Sequence, residues 1–523
     1  MGKHVVKPKH LPLALPGGAR RIHLKGVFDR PVVLNGLRGT RDRPIVVTAG
    51  KRSCLTLNTK DGPAKMRRNA WRRQEAGYFP SIGQTADQAA LVLHDCQHVA
   101  ILGLHFAGCI PTAIYLDRTT DVSIVDCHFV GGSIAIAANG IETRDILIEG
   151  CEWVQEPALW SQIDWSAVHG SYENAGAGVG KGDPRYLDGD FFRAWDITGN
   201  VTVRGNTIAD CYNGIHFFNA VDDVSQPLAE PGETPMAMKY NSGRRASVNV
   251  LIEDNDFLRV RDNCIEPEAY AWNWVVRDNR FTDCYSPYSF DLQRAAWIYI
   301  YDNAHLFTDP PKPETDGGAR GDWSGFKPGG GPQRNEGDVY VLNNSWHVAS
   351  ARFRYLRRGR IGRLRHHDNA VQATGRADLF NKGGFDASDA TFDGDLFDGF
   401  GTLTTYTDQG YAPGLDTRFG RFSFEGIVTA SQLRVMGPLR KGVRRAAFMV
   451  RLPGYDMAAI AKNGSERAYE ITFPPRLPIG AGMKAQWRRR LDRGLAFVAS
   501  DPIARKRLIG RWRKGKARGS SAG

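Results

Sequence analysis

Apolar and polar residues alternate along this chain in short runs that recur with nearly the same shape. "HVAILGLHF" at 98–106 is followed by "DVSIVDCHF" at 121–129, "DILIEGCEW" at 145–153 and "NVTVRGNTI" at 200–208. "NVLIEDNDF" then begins at 249, "NWVVRDNRF" at 273, "WIYIYDNAH" at 297 and "DVYVLNNSW" at 338. Alternation of period two predicts a strand with one face buried. The first inward residues align as Val99, Val122, Ile146, Val201, Val250, Trp274, Ile298 and Val339, in steps of 23, 24, 55, 49, 24, 24 and 41. The unit is therefore about 24 residues, interrupted by insertions at 155–199, 220–246 and 304–336. No such unit can bury its apolar face alone, so the units must stack. The turn closing each run reads Cys127, Cys151, Asn206, Asn255, Asn279, Asn303 and Asn344. Stacked asparagines can hydrogen-bond along the pile through their amides and tolerate a bent backbone.

These repeats predict an all-β chain, a right-handed parallel β-helix with coils of about 24 residues. They lack the leucine–asparagine consensus of leucine-rich repeats and are shorter than propeller blades of about 40–50 residues. "IHLKGVFDRPVVLNGLRGTRDRPIVVTAG" supplies opening strands, and with the repeats it makes the chain resemble the pectate-lyase-like superfamily of bacterial, carbohydrate-active β-helix repeat proteins. The resemblance spans roughly residues 20–385 and concerns fold more than activity. Residues 386–483, rich in Gly, Asp and Thr at their start, read as a β-rich extension or cap, and 484–523 as a basic tail, helical or disordered.

Composition refines this picture modestly. The net charge of +13 owes much to the tail, with "KAQWRRRLDRG" and "ARKRLIGRWRKGKARG". That segment would suit an anionic polysaccharide, nucleic acid or membrane surface, and a solvated tail is the plainer reading; no specific nucleic-acid partner is expected. The eight cysteines lack metal spacing and read as small buried side chains. No run approaches the roughly 20 apolar residues of a membrane span. The N-terminal stretch has a proline-broken apolar piece of six residues without a small-residue cleavage site, so the expectation is a cytoplasmic protein, or export by an unmarked route.

Candidate chemistry lies on the strand after the corner. Taking Ile114, Ile215, Ile265, Tyr288, Phe326 and Phe353 as inward, the next residues point outward as Tyr115, His216, Glu266, Ser289, Lys327 and Arg354. Two positions on stand Asp117, Phe218, Glu268, Asp291, Gly329 and Leu356. With rungs about 4.8 Å apart, His216, Glu266, Glu268, Asp291 and Lys327 share one patch, with Arg294 just beyond. A solvated face of paired charges is the bland alternative. Two chemistries fit the patch. In β-elimination from a uronic acid, Glu266, Glu268 and Asp291 would hold Ca²⁺, Lys327 would be the base if burial lowers its pKa, Arg294 or Arg354 would assist, and His216 would act as acid or carboxylate clamp. The resemblance implies this logic, acidic Ca²⁺ ligands beside Lys or Arg, although the longer motif strings of alginate and chondroitin lyases are missing. In hydrolysis, Glu266 would pair with Asp291 or Glu268. A binding module would instead stack sugars on aromatics such as Trp160, Trp165 and Tyr186, with Arg354 and Tyr115 also assigned to substrate.

Two further motifs carry less. "GVGKGD" at 178–183 lacks the length and the Ser/Thr of a phosphate loop. "RLRHHDNAV" echoes the repeat, so His366 and His367 are expected to be structural.

Overall fold

The computed structural model describes residues 3–57, 89–155, 189–218, 247–307, 323–401 and 417–420, apart from short gaps within these stretches. At Phe218, Asp291, Arg294 and His367 only the backbone is described. These residues form two compact units, one of residues up to 137 with 147–191, the other of residues 138–146 with those from 192 onward. Both are piles of parallel coils, as the repeats predict. No described helix is long and apolar enough to cross a membrane.

In the first unit, Lys3–Val6, Arg21–Leu24, Ile45–Ala49, Gln97–Leu102 and Thr120–Val125 pair in succession, all parallel. Val32–Asn35, Ala89–His94 and Thr112–Asp117 make a second face. Val27–Phe28, Cys54–Thr56, His105–Ala107, His128–Val130 and Glu152–Val154 make a third. The pile thus begins ahead of residue 20. Its cysteines are free and buried, and burial, then a hydrogen bond from Cys127, pushes the Cys151 thiol well up. They fill the core as small apolar groups.

The second unit repeats the three faces. Asn213–Phe218 pairs with the start of Asn263–Arg277, which pairs with Ser286–Tyr301, then Trp323–Pro328, Phe353–Leu356 and Ala377–Phe380. Asn263–Arg277 and Ser286–Tyr301 run on through a bulge at Ala269/Tyr270 and join a second face with Gly199–Arg204, Val248–Glu253, Val339–Leu342 and Leu364–His367. Pairing continues past residue 385, with Ala390–Asp393 on Leu364–His367 and Leu396–Asp398 on Ala370–Ala373. The apolar alternation that defined the repeat is the core, where Ile215, Phe217, Ile265, Tyr288 and Phe326 are all buried.

The corner column is a continuous ladder. Asn206, Asn255, Asn279, Asn303, Asn344 and Asn369 each donate a side-chain amide to the next member at 2.8–3.0 Å, ending on Asp395. Each backbone N–H also donates to the same oxygen. Preceding residues sit in the left-handed region, Asp254, Asp278, Asp302, Asn343 and Asp368 with φ between 49° and 57°. Short polar side chains tolerate that conformation and β-branched ones resist it. Asp278→Val is expected to lower stability by about 1–3 kcal/mol and Asp278→Gly to leave it nearly unchanged, as read from denaturation midpoints.

Of the two histidines of "HHDN", only His366 has a described side chain. His366 faces inward and is fully buried, its Nδ1 2.8 Å from Asp395 and its Nε2 2.7 Å from the Tyr355 hydroxyl. Asp395 thus closes the ladder with one oxygen and holds His366 with the other. His305 is neutral, its pKa pushed well down by burial. The Ser345 carbonyl can only accept, so Nδ1 of His305 carries the proton and Nε2 accepts from Tyr288. Its ring stacks between Phe281 and Trp346.

Candidate functional site

The stretch "NCIEPE" places its two glutamates by strand geometry alone. Ile265 is fully buried in the core, so Glu266 and Glu268 point away from it on the same side. Pro267 between them fixes the backbone angle and gives no N–H to the ladder, which stiffens the stretch. One rung away, His216 pairs with Glu266 across the parallel strands. Its Nδ1 lies 3.9 Å from a Glu266 oxygen and its Nε2 3.5 Å from a Glu268 oxygen. The three side chains offer ligand atoms all within 4.8 Å of one another. Although they point away from the core, two of them are buried, His216 at 8% and Glu266 at 6% exposed, and Glu268 is half-buried.

Burial divides the two carboxyls. Glu266 is pushed up to about 7, chiefly by desolvation, with Glu268 and Asp262 adding repulsion against the opposing pull of His216 and Lys327. Asn263 donates to its Oε1 at 2.7 Å and is itself held by a backbone bond to Asn213. For Glu268, desolvation also pushes upward, but the contact with His216 and the charges of His216, Arg193 and Lys327 outweigh it and hold the carboxyl below its ordinary value. One acid is thus half-protonated near neutral pH while its neighbour two residues on is ionised.

Lys327 stands two rungs beyond Glu266, with the small Ser289 paired against it. Burial disfavours its charge, but Asp262, Glu266 and Tyr285 together more than offset this and raise its pKa. The expected lowering by burial is therefore reversed, and Lys327 is held in its charged form. A second correction concerns register. Phe326 pairs with Leu356 and Ser324 with Arg354, so Arg354 is not beside Lys327. The neighbour is Arg357, whose N–H bonds to the Phe326 carbonyl. Trp323 and Phe326 match Phe353 and Leu356 at the same spacing of three, a signal that would have found this register.

Other expected members fall as follows. Asp291 pairs by backbone with Glu268, and Arg294 with Tyr270 beyond the bulge. Among the described side chains His216, Glu266 and Glu268 are brought together, and the Asp291 side chain lies outside the described ones. Tyr115 is buried in the first unit, paired with Val92. Trp160, Trp165 and Tyr186 lie outside the described residues. Sequence reasoning missed Arg193, Asp262, Asn263, Tyr285 and Arg357. Arg193 belongs to strand Asp190–Trp195, which occupies part of the interval taken as the 155–199 insertion.

No family model matches the chain, and no curated protein matches it in sequence. Among solved structures it is similar to the Dettilon tailspike protein at 10% identity and TM-score 0.32, covering 76% of this chain and 67% of that one. It is similar to PfbA, a surface adhesin of Streptococcus pneumoniae, at 10% identity and TM-score 0.35, covering 75% and 84%. It is similar also to a mannuronic acid specific polysaccharide family 6 lyase from human gut microbiota, at 10% identity and TM-score 0.36, covering 94% and 99%. Likeness at these values does not extend to activity.

Proposed function

We propose that the protein cleaves an acidic, uronate-containing polysaccharide by β-elimination on the face that carries His216, Glu266, Glu268 and Lys327. The observation that carries this reading is a carboxyl half-protonated near pH 7 beside an amine held in its charged form. Elimination needs a cation against the uronate carboxylate, a base for the C5 proton and an acid for the leaving oxygen. Lys327 supplies the cation. The ionised Glu268, held by the charged His216, takes the C5 proton; the electron pair closes the C4–C5 double bond, the C4–O bond breaks, and Glu266 protonates the departing oxygen. Ca²⁺ favours six to eight oxygen ligands; of the residues that would hold it, Glu266 and Glu268 lie together with His216.

A second reading has its own support. Two carboxyls with pKa values driven apart are also the pattern of a glycosidase acid and its ionised partner. Product chemistry separates the two. With a panel of polyuronates, elimination predicts unsaturated ends that absorb in the ultraviolet, at a rate that falls as pH rises above about 7 and Glu266 loses its proton. New reducing ends without that absorbance would replace elimination by hydrolysis, and binding without cleavage would leave a glycan-binding module.

A further inference from the structure

Two cations on this face stand together, and Asp262 and Glu266 act on one of them, Lys327, through their charge. Lys327 and Arg357 follow one another on adjacent rungs, since Phe326 pairs with Leu356. The two are close enough for the Arg357 charge to act against that of Lys327. Like charges opposed across strands are destabilising. Yet among the described residues neither side chain is in salt-bridge contact with a carboxylate. Several other arginines of the second unit differ: Arg259, Arg277, Arg280, Arg352, Arg360 and Arg363 each hold an aspartate or glutamate. Arg357 instead spends one hydrogen bond on a neutral group, its Nη1 donating to the Tyr285 hydroxyl at 3.2 Å. Tyr285 is itself 7% exposed, so the guanidinium is steered by a buried ring.

We infer that Lys327 and Arg357 form a two-rung anion site, with Arg357 the residue that makes this face select glycans bearing carboxylates. The inference rests on the reading of the face as glycan-binding and extends it to the choice of substrate. Rungs lie about 4.8 Å apart, so one carboxylate, or the carboxylates of neighbouring sugar units, can be shared between the ammonium and the guanidinium. The roles differ: lysine is a point charge, whereas arginine offers a planar fork matched to the two oxygens. Arg357 is thereby a substrate-binding residue, and Tyr285 is the positioning residue that fixes its direction.

Binding of polygalacturonate and polymannuronate fragments, with their methyl esters and dextran as uncharged controls, tests this by calorimetry. The protein used carries Glu266→Gln so that cleavage does not intrude. Arg357→Gln is expected to weaken binding of an acidic fragment by about tenfold to a hundredfold and to leave the esters unchanged. Arg357→Lys should recover part of the loss, and Tyr285→Phe should produce a smaller one, because each removes direction and keeps charge. Acidic fragments bound equally by Arg357→Gln, or bound by the parent no better than the esters, overturn the inference. Failure here with cleavage intact leaves the elimination reading standing, and discrimination without any cleavage by the native protein sinks that reading alone.

Discussion

Glu266→Gln is expected to lower cleavage of the substrate by a factor of roughly 10²–10⁴, the usual weight of a positioned acid, while leaving the protein folded and more stable above neutral pH. The amide keeps an oxygen for the Asn263 donor at Oε1, so the strand is undisturbed, but it has no acidic proton to give. The stability change follows from the direction of the shift. Glu266 has its folded pKa raised from 4.5 to about 7, so between those values the folded state holds a proton that the unfolded chain has lost. Native stability therefore declines as pH rises through this window, and the penalty is full above it. Glutamine carries no such penalty. The variant should gain up to about 3 kcal/mol over the native protein at pH 8 and nothing at pH 4. Equal stability curves at both pH values would show that Glu266 is not a desolvated acid.

The second large effect is structural. Asn279→Ala is expected to cost about 3–5 kcal/mol, because it cuts the ladder on both sides. The Asn279 amide donates to Asn303 Oδ1, to the Ile252 carbonyl and to the Arg277 carbonyl. Its oxygen accepts both the backbone N–H and the side-chain amide of Asn255. All of these bonds but the one to the Arg277 carbonyl are buried, so alanine leaves donors and acceptors that water cannot reach. Each such group costs about 1–3 kcal/mol, which outweighs any gain from a smaller side chain. Chemical denaturation would show a lower midpoint with unchanged slope; a loss under about 1 kcal/mol would mean that the ladder decorates the corner and does not hold it.

Much of this architecture was legible because the coil forces a repeating period on the chain. Alternation identified the inward residues, and the corner asparagines declared the ladder before any coordinate was known. Alternation also put Glu266 and Glu268 on one side and brought His216 to them. What failed depends on register after an insertion. Phe353 and Leu356 are both apolar and both buried, so the strand could be aligned on either, and a slip of three exchanged Arg357 for Arg354. Arg193 was hidden for a related reason, lying in a strand that carries no repeat signature and abuts the inserted stretch. The charge of Lys327 was beyond sequence altogether. Burial alone would have lowered its pKa, and only the particular placement of Asp262, Glu266 and Tyr285 reverses the sign.

The central claim is that one buried carboxyl on this face stays protonated up to neutral pH beside a carboxylate that does not. Carbon NMR of protein labelled at the glutamate side-chain carboxyls, titrated from acid to mildly alkaline pH with Glu266→Gln for assignment, tests it most directly. The account predicts one signal that titrates near 7 and vanishes in the variant, with Glu268 among those already ionised below its ordinary range. If every signal titrates in the ordinary carboxyl range and the variant removes one of those, the acid assigned to Glu266 does not exist.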